Sequence, residues 1–160
     1  MVVRRIAAFV LLPLAFAGAA LAVSAAPSSA AQTPAQMESW VIALTNKQRA
    51  AHGCAPVVRN DALVAASKRH SWDMATKGYF SHTSPGGSTF TARARYAGYN
   101  YASGENIAWG QRTATEVVNA WMGSPGHRAN ILNCASKKIG IGVSFNRSGT
   151  PYWVQMFGRV

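Results

Sequence analysis

The chain has 160 residues, which allows one domain and leaves no room for two sizeable cores. Apolar residues make up 49% and charged residues 13%, a composition that excludes a disordered tail and a coiled coil. The 16 Lys and Arg outnumber the 5 Asp and Glu, and the resulting net charge of +11 favours anionic surroundings. Five carboxylates leave few candidates for a glycosidase, which needs a pair of carboxylates on either side of its substrate bond.

The first residues have the pattern of an export signal. Arg4 and Arg5 precede an uncharged apolar stretch over 6–22, and small residues with A-x-A-like spacing follow it. This pattern predicts a secretory signal peptide over 1–31, cleaved between about 22 and 31, and a folded domain over 34–160. A membrane anchor is the alternative, since the stretch approaches spanning length, but the cleavage-like sites directly after it favour export.

Helices are predicted where apolar residues recur every three or four positions between capping residues. Their ranges are 32–53, 60–77, 89–97, 113–123 and 124–132. Thr33 with Gln36 and Thr113 with Glu116 form capping boxes. Ser124 precedes a proline at the start of the last helix, which is typical of an N-cap residue.

The end of the chain changes to the two-residue period of a strand. Apolar and small residues alternate over 139–145, and a second apolar run covers 152–157 after a turn at 146–151. The two runs predict an antiparallel hairpin, and 107–109 is predicted as a short strand before it. Helices followed by a terminal hairpin imply an α+β domain in which helices cover a sheet.

Cys54 and Cys134 are the only cysteines of the chain. An oxidising compartment outside the cytoplasm would pair them, and the resulting bridge would close most of the domain. The alternative, one cysteine as a nucleophile, needs a partner histidine and a reason to stay reduced. We therefore expect a structural disulfide.

The four histidines lie in different surroundings. His52 ends the first predicted helix beside a glycine, as a cation on the helix dipole would, and His70 shares an apolar helix face and is expected in the core. His82 and His127 lie in a loop and at a helix start among small residues, where binding and catalytic sites tend to be built. Two unrelated surface histidines are the alternative.

Glu105 is the acidic residue without an evident structural role. It lies outside any predicted helix and just before an apolar strand, whereas Glu116 caps a helix and the other acids lie on helices. Burial would make Glu105 a candidate acid or base, and exposure would make it an ordinary surface carboxylate. Spacing alone leaves open whether Glu105 meets His82 and His127.

Several motifs occur in the order found in a known family. They are Phe80-Ser81-His82, Gly104-Glu105-Asn106-Ile107-Ala108, Ala120-Trp121, Ser124-Pro125-Gly126-His127-Arg128-Ala129-Asn130-Ile131-Leu132 and Trp153-Val154-Gln155-Met156-Phe157-Gly158. The set resembles the CAP superfamily of cysteine-rich secretory proteins, antigen 5 and pathogenesis-related protein 1, and above all its secreted bacterial SCP-domain branch. The resemblance spans 37–159, and several ordered motifs are more specific than one.

The resemblance implies a three-layer α-β-α sandwich with a central cleft lined by two His and two Glu. Carried over by motif, the histidines are His82 and His127, a pair that binds a divalent metal in the family, often zinc, and the first Glu is Glu105. The second Glu would stand at Ser124, so this chain lacks that carboxylate. We expect weak metal binding completed by water, with His127 kept neutral by the N-terminal end of its helix.

The function expected from these residues is that of a secreted, non-enzymatic binding module with a His-lined, metal-capable cleft and a lipid- or sterol-like ligand. One alternative is a metal-dependent hydrolase, such as a peptidase, acting at the same cleft. Another is a binder of anionic cell-wall polymers or membrane surfaces through basic residues at 68–69, Arg93, Arg95 and 137–138. We expect a monomer that binds no nucleic acid, since no aromatic-basic motif for it occurs.

Overall fold

A computed structural model describes residues 32–160, so the predicted signal peptide over 1–31 lies outside the described residues. The elements in chain order are α1 (Pro34–Ala51), β1 (Val58–Arg59), α2 (Asp61–Lys77), α3 (Phe90–Tyr96), β2 (Ala102–Trp109), α4 (Ala114–Met122), α5 (Pro125–Ile131), β3 (Lys138–Phe145) and β4 (Pro151–Gly158). Each predicted helix begins and ends within two residues of its expected range. Within 32–160, every helix is too short or too polar to cross a bilayer.

The strands form one sheet in the order β1-β3-β4-β2. β3 and β4 are the predicted antiparallel hairpin, β2 pairs antiparallel with β4, and β1 pairs parallel with β3. Two strand predictions were wrong: β2 begins at Ala102 rather than at 107, and β1 was not expected. Both segments are polar or very short, so pairing with a neighbouring strand, rather than a local alternating pattern, makes them strands.

Helices cover both faces of the sheet, which confirms the α-β-α sandwich. On one face α1, α4 and α5 pack on the sheet around a cluster that includes Val41, Trp121 and Ile141. On the other face α2 and α3 pack around a cluster that includes Leu63 and Val154. Because successive residues of a strand point to opposite faces, β2 and β4 supply side chains to both cores.

The close approach of α2 to β3 depends on glycines in β3. A Cβ added to Gly140 would lie 2.2 Å from the Leu63 carbonyl carbon, and one added to Gly142 would lie 2.4 Å from the Lys68 nitrogen. The Ser67 hydroxyl of α2 donates a 3.2 Å hydrogen bond to the Gly140 carbonyl. The apolar residues of β3 therefore fill the core on one face of the sheet, and its glycines on the other face let the backbone of α2 approach closely.

The side chains at the N-termini of the helices form some of the predicted capping hydrogen bonds. The Thr33 and Gln36 capping box is present at α1. At α4 the Thr113 hydroxyl accepts from the Glu116 nitrogen, but the Glu116 carboxylate accepts from the Arg112 nitrogen instead of completing the box. Ser124 occupies the N-cap position of α5 without a side-chain hydrogen bond, so its predicted capping bond is absent.

The predicted Cys54–Cys134 disulfide is present and connects the loop after α1 with the loop after α5. Arg49 of α1 reinforces the same junction, since its guanidinium is fully buried. It donates to the carbonyls of Ala55, Ile131, Asn133 and Ser136 at 2.8–2.9 Å. A buried cation satisfied by backbone carbonyls and a covalent bridge therefore fix the same pair of loops.

Candidate functional site

Glu105 lies in the middle of β2, and its side chain is only 1% exposed. Ile107, two positions later, belongs to the core on the α2 and α3 side. Because residues two apart share a face of a strand, Glu105 points to that same side. The sequence left open whether Glu105 is buried or exposed, and the structure shows that it is buried.

Arg93 of α3 neutralises the Glu105 carboxylate. Its Nη2 donates to Glu105 Oε2 at 2.7 Å and to the His82 carbonyl at 2.9 Å, and its Nη1 donates to the Ser88 carbonyl at 2.6 Å. The Arg93 side chain is 7% exposed, so it does not present the surface charge that the anionic-polymer alternative requires of it. A buried carboxylate needs a charged partner, and Arg93 supplies it while tying α3 to the 82–88 loop.

His82 forms the second contact of Glu105. Its Nδ1 lies 2.9 Å from Glu105 Oε1. Because an ionised carboxylate only accepts hydrogen bonds, Nδ1 carries the proton, and in the neutral ring Nε2 then has a free lone pair. The side chain is 52% exposed, so this nitrogen is accessible to a ligand.

His127 lies in the first turn of α5 and is partly buried. Burial, and after it the charge of His82, lowers the pKa of His127, so the imidazole is neutral near pH 7. The direction agrees with the sequence-based expectation, but burial rather than the helix dipole is the main cause.

Buried amides join the site to the interior, and the sequence did not predict them. Asn106 Nδ2 donates to the His127 carbonyl at 3.1 Å and to Gln155 Oε1 at 2.9 Å. Asn130 Nδ2 donates to Asn106 Oδ1 at 2.8 Å, and Gln155 Nε2 donates to Thr45 Oγ1 at 2.9 Å. The network runs from α5 through β2 and β4 to α1, so the backbone of His127 is held at a fixed place against the sheet.

Side chains of α4 and α5 cover the free edge of β2, which is an outer strand of the sheet. Asn130 of α5 donates to the Glu105 carbonyl at 3.1 Å, and Trp121 of α4 donates through Nε1 to the Ile107 carbonyl at 3.1 Å. These side chains take the place of a further strand at alternate carbonyls of β2.

The donor set of the site consists of the two imidazoles. Both oxygens of Glu105 are engaged by Arg93 and His82, and Ser124 stands where the resemblance implies a second carboxylate. Within residues 32–160, no group of three or more His, Cys, Asp or Glu is placed to hold a metal ion. His82 and His127 offer two imidazole nitrogens, which is fewer than the three protein ligands of a usual catalytic zinc site.

The other histidines lie outside this pair. His70 is fully buried and its Nε2 lies 2.9 Å from the Ser81 carbonyl, which confirms the predicted core position. His52 lies at the C-terminal end of α1, where its Nδ1 contacts the Gln48 carbonyl at 2.7 Å. Its Nε2 lies 3.2 Å from the Arg128 Nη2.

The remaining predicted basic residues are only partly available to a polyanion. Lys68 pairs with Glu38 at 3.0 Å, and the Arg69 guanidinium lies 5.0 Å above the centre of the Tyr96 ring. Arg95 and Lys137 are exposed. Lys138 is partly buried.

Comparison with known proteins decides the family. The sequence profile of the cysteine-rich secretory protein (CAP) family matches residues 42–157. The chain belongs to the CAP family. The matched span contains every element from β1 to β3, most of β4, and the residues of the His82 and His127 pair.

Individual relatives agree with this assignment. This CAP domain is 40% identical over 133 residues to the uncharacterized protein YkwD of Bacillus subtilis, with 82% of this chain and 51% of YkwD covered. It is similar to an extracellular protein containing an SCP domain from Bacillus anthracis, at 29% identity and a TM-score of 0.71, covering 82% of this chain and 45% of that one. An outer surface protein of Borrelia burgdorferi shares the fold, at 22% identity and a TM-score of 0.68 over 74% of this chain and 89% of that one.

The chain spans about half the length of its Bacillus relatives. The similarity therefore concerns their CAP domain, whose α+β sandwich is shared.

Proposed function

We propose that this chain is a secreted, non-enzymatic binding module whose His82 and His127 hold a divalent metal ion, most readily zinc. The proposal rests on the 2.9 Å hydrogen bond between His82 Nδ1 and Glu105, which leaves the His82 Nε2 lone pair for a ligand. Neutral imidazole nitrogen is a good zinc ligand. The lowered pKa of His127, caused first by burial, supports the same state for the second ring.

Glu105 acts in this proposal by orienting His82 rather than by binding the metal. Metal-binding histidines commonly donate their second ring nitrogen to a carboxylate, which fixes the ring and its tautomer. Two protein ligands are fewer than the three or four of ordinary zinc sites, so we expect a reversible site that chelators empty easily. A bound zinc ion would supply a positive anchor for an acidic atom of a ligand.

Secretion is supported by the signal-like pattern over 1–31 and by the disulfide, which persists in oxidising compartments. The B. anthracis relative is described as an extracellular protein. Detection of the chain in the medium of its own host, shortened at a site between about 22 and 31, is the expected result. A full-length chain retained in the cell would contradict export with cleavage.

The absence of catalysis is supported by the state of Glu105. A hydrolase needs a general base, and both oxygens of Glu105 are already engaged by Arg93 and His82. Ser124, at the position of the second carboxylate, cannot act as a base near neutral pH. Peptide hydrolysis by the zinc-loaded protein that His82→Ala and His127→Ala both abolish would replace this proposal with the hydrolase.

Calorimetric titration with zinc tests the metal site. The wild type should show one saturable site, which either His82→Ala or His127→Ala removes. His52→Ala is the matched control, because His52 is exposed and lies outside the pair, and it should bind zinc like the wild type. Partial and independent losses in the single variants, or no saturable site in the wild type, would overturn the proposal.

A further inference from the structure

A cavity of about 560 Å³ lies between α2, α3 and the loop that contains Ser84 and Ser88. Its volume falls in the range of small-molecule pockets, about 300–1,000 Å³. Neither His82 nor His127 lines it, and Arg93 is the residue that both lines it and contacts Glu105.

Small side chains on two facing helices create this space. Ala65 and Ala66 of α2 and Ala92 of α3, with Ala97 just after it, line the cavity. A longer apolar residue at these positions would fill the volume and extend the core, as close packing normally requires. The polar residues that line the cavity therefore face a space that a ligand can enter.

The charges of the lining favour an anionic ligand. Arg69, Lys77 and Arg93 line the cavity, and Asp73 is the one acid among its lining residues. Asp73 pairs with Lys77 at 2.6 Å, and Arg93 pairs with Glu105 at 2.7 Å. Among residues 32–160, Arg69 then has no acidic partner, so the cavity keeps an uncompensated positive charge.

An aromatic ring stands at the mouth of the cavity beside that charge. Tyr96 is 81% exposed, unlike the tyrosines that belong to the core. The Arg69 guanidinium lies 5.0 Å from the ring centre, a cation–π arrangement that holds both side chains in place. An exposed, pre-oriented aromatic ring next to a cation binds ligands that combine a flat apolar face with a negative group.

We propose that this cavity binds a saccharide unit that carries a carboxylate or a phosphate. The ring of Tyr96 stacks on the apolar face of the sugar, and Arg69 pairs with the acidic group. The Ser84 and Ser88 hydroxyls at the cavity wall are donors and acceptors for sugar hydroxyls. The proposal is independent of the metal site, since it uses neither His82 nor His127.

NMR titration of the full chain with glucuronic acid, glucose 6-phosphate and glucose tests this. Shifts should concentrate at the α2, α3 and 84–88 amides for one or both acidic sugars, and glucose should bind at least about tenfold more weakly. The acidic sugar that binds more tightly then distinguishes a carboxylated from a phosphorylated natural ligand.

Matched variants separate the cavity from the general basic charge. Arg69→Gln and Arg95→Gln remove the same charge from exposed side chains, but only Arg69 lines the cavity. We expect Arg69→Gln to weaken binding about tenfold or more and Arg95→Gln to leave it unchanged. Likewise, Tyr96→Ala should weaken binding, whereas Tyr101→Ala, an exposed tyrosine outside the cavity, should not.

Three results would overturn the proposal: equal losses in the two arginine variants, unchanged binding in Tyr96→Ala, or no shifts at the cavity with either acidic sugar. Loss of zinc binding would not affect it, so the two proposals fail or stand separately.

Discussion

Arg93 and Glu105 form the most deeply buried ion pair among residues 32–160, with side chains 7% and 1% exposed. We predict that Arg93→Met lowers the free energy of unfolding by about 3–5 kcal/mol, because it leaves the Glu105 carboxylate buried with only His82 as a partner. Urea unfolding measures this loss.

Arg95→Met is the control for this prediction, because Arg95 is exposed on the same helix and should change stability by less than about 0.5 kcal/mol. Equal stability of the Arg93 and Arg95 variants would show that the buried pair contributes nothing to folding.

The sequence identified some of the site residues and missed the ones that hold them. The sequence predicts His82, His127 and Glu105 as site residues, because each lies in a short sequence motif of the CAP family. It does not predict Arg93, since an arginine on a short helix is typical of an exposed face. Its partner is set by how α3 packs on β2, which no local pattern encodes.

The buried amides were missed for a related reason. Asn106 meets Gln155 because β2 and β4 pair in a register that places these two residues opposite each other. A shift of β2 by one residue would turn Asn106 to the other face of the sheet, away from Gln155. The pairing of two distant strands therefore builds part of the site.

The packing of α2 on β3 yields a prediction about Gly142. In Gly142→Ala the new Cβ would meet backbone atoms of Ser67 and Lys68 at 2.4–2.6 Å, and a helix backbone cannot yield as a flexible side chain can. We expect a loss of about 3 kcal/mol or more, or failure to fold.

Gly126→Ala is the matched control, because a Cβ at Gly126 meets nothing within 4 Å. Thermal unfolding should give the Gly126 variant a melting temperature equal to or above that of the wild type, since alanine favours the helix. A Gly142 variant as stable as the Gly126 variant would contradict the close approach of α2.

Helices were easier to predict than strands in this chain. Thr33, Asn60 and Thr89 each accept a hydrogen bond from the first turn of a helix, so the boundary signal lies in the local sequence. The first half of β2 is small and polar, and its backbone is held by pairing with β4 on one side and by the Asn130 side chain on the other. The residues that make this segment a strand therefore lie in distant parts of the domain.

The disulfide closes a loop of 80 residues across most of the domain. The chain-entropy model gives such a loop about 4–5 kcal/mol. Reduction should therefore lower the melting temperature by about 10–20 °C. The Arg49 hydrogen bonds hold the same loops, so we expect the reduced chain to keep its fold at room temperature, which circular dichroism can measure.

A melting temperature that does not change on reduction would contradict this prediction. The Cys54→Ala/Cys134→Ala variant should melt like the reduced wild type, which separates loss of the bridge from effects of the reductant.

The partly or fully buried histidines make stability depend on pH. Burial lowers the pKa of His70 and of His127, so below about 6.5 the unfolded chain binds more protons than the folded one. The free energy of unfolding should therefore fall as the pH decreases from about 6.5 to 5. Urea unfolding at several pH values measures the slope.

His127→Gln should make this slope shallower, because one of the two groups no longer titrates. A free energy of unfolding that stays constant from about pH 7.5 to 5 would contradict the lowered pKa values.

The covered edge of β2 also bears on how copies of this domain meet. An outer strand with free carbonyls is a template for a strand of another molecule, and it is a common origin of aggregation. Here Trp121 and Asn130 occupy the carbonyls of Ile107 and Glu105, so an incoming strand would have to displace a buried indole and an amide of the interior network. The hydrogen bonds that keep Glu105 and His127 in place therefore also oppose sheet extension between molecules.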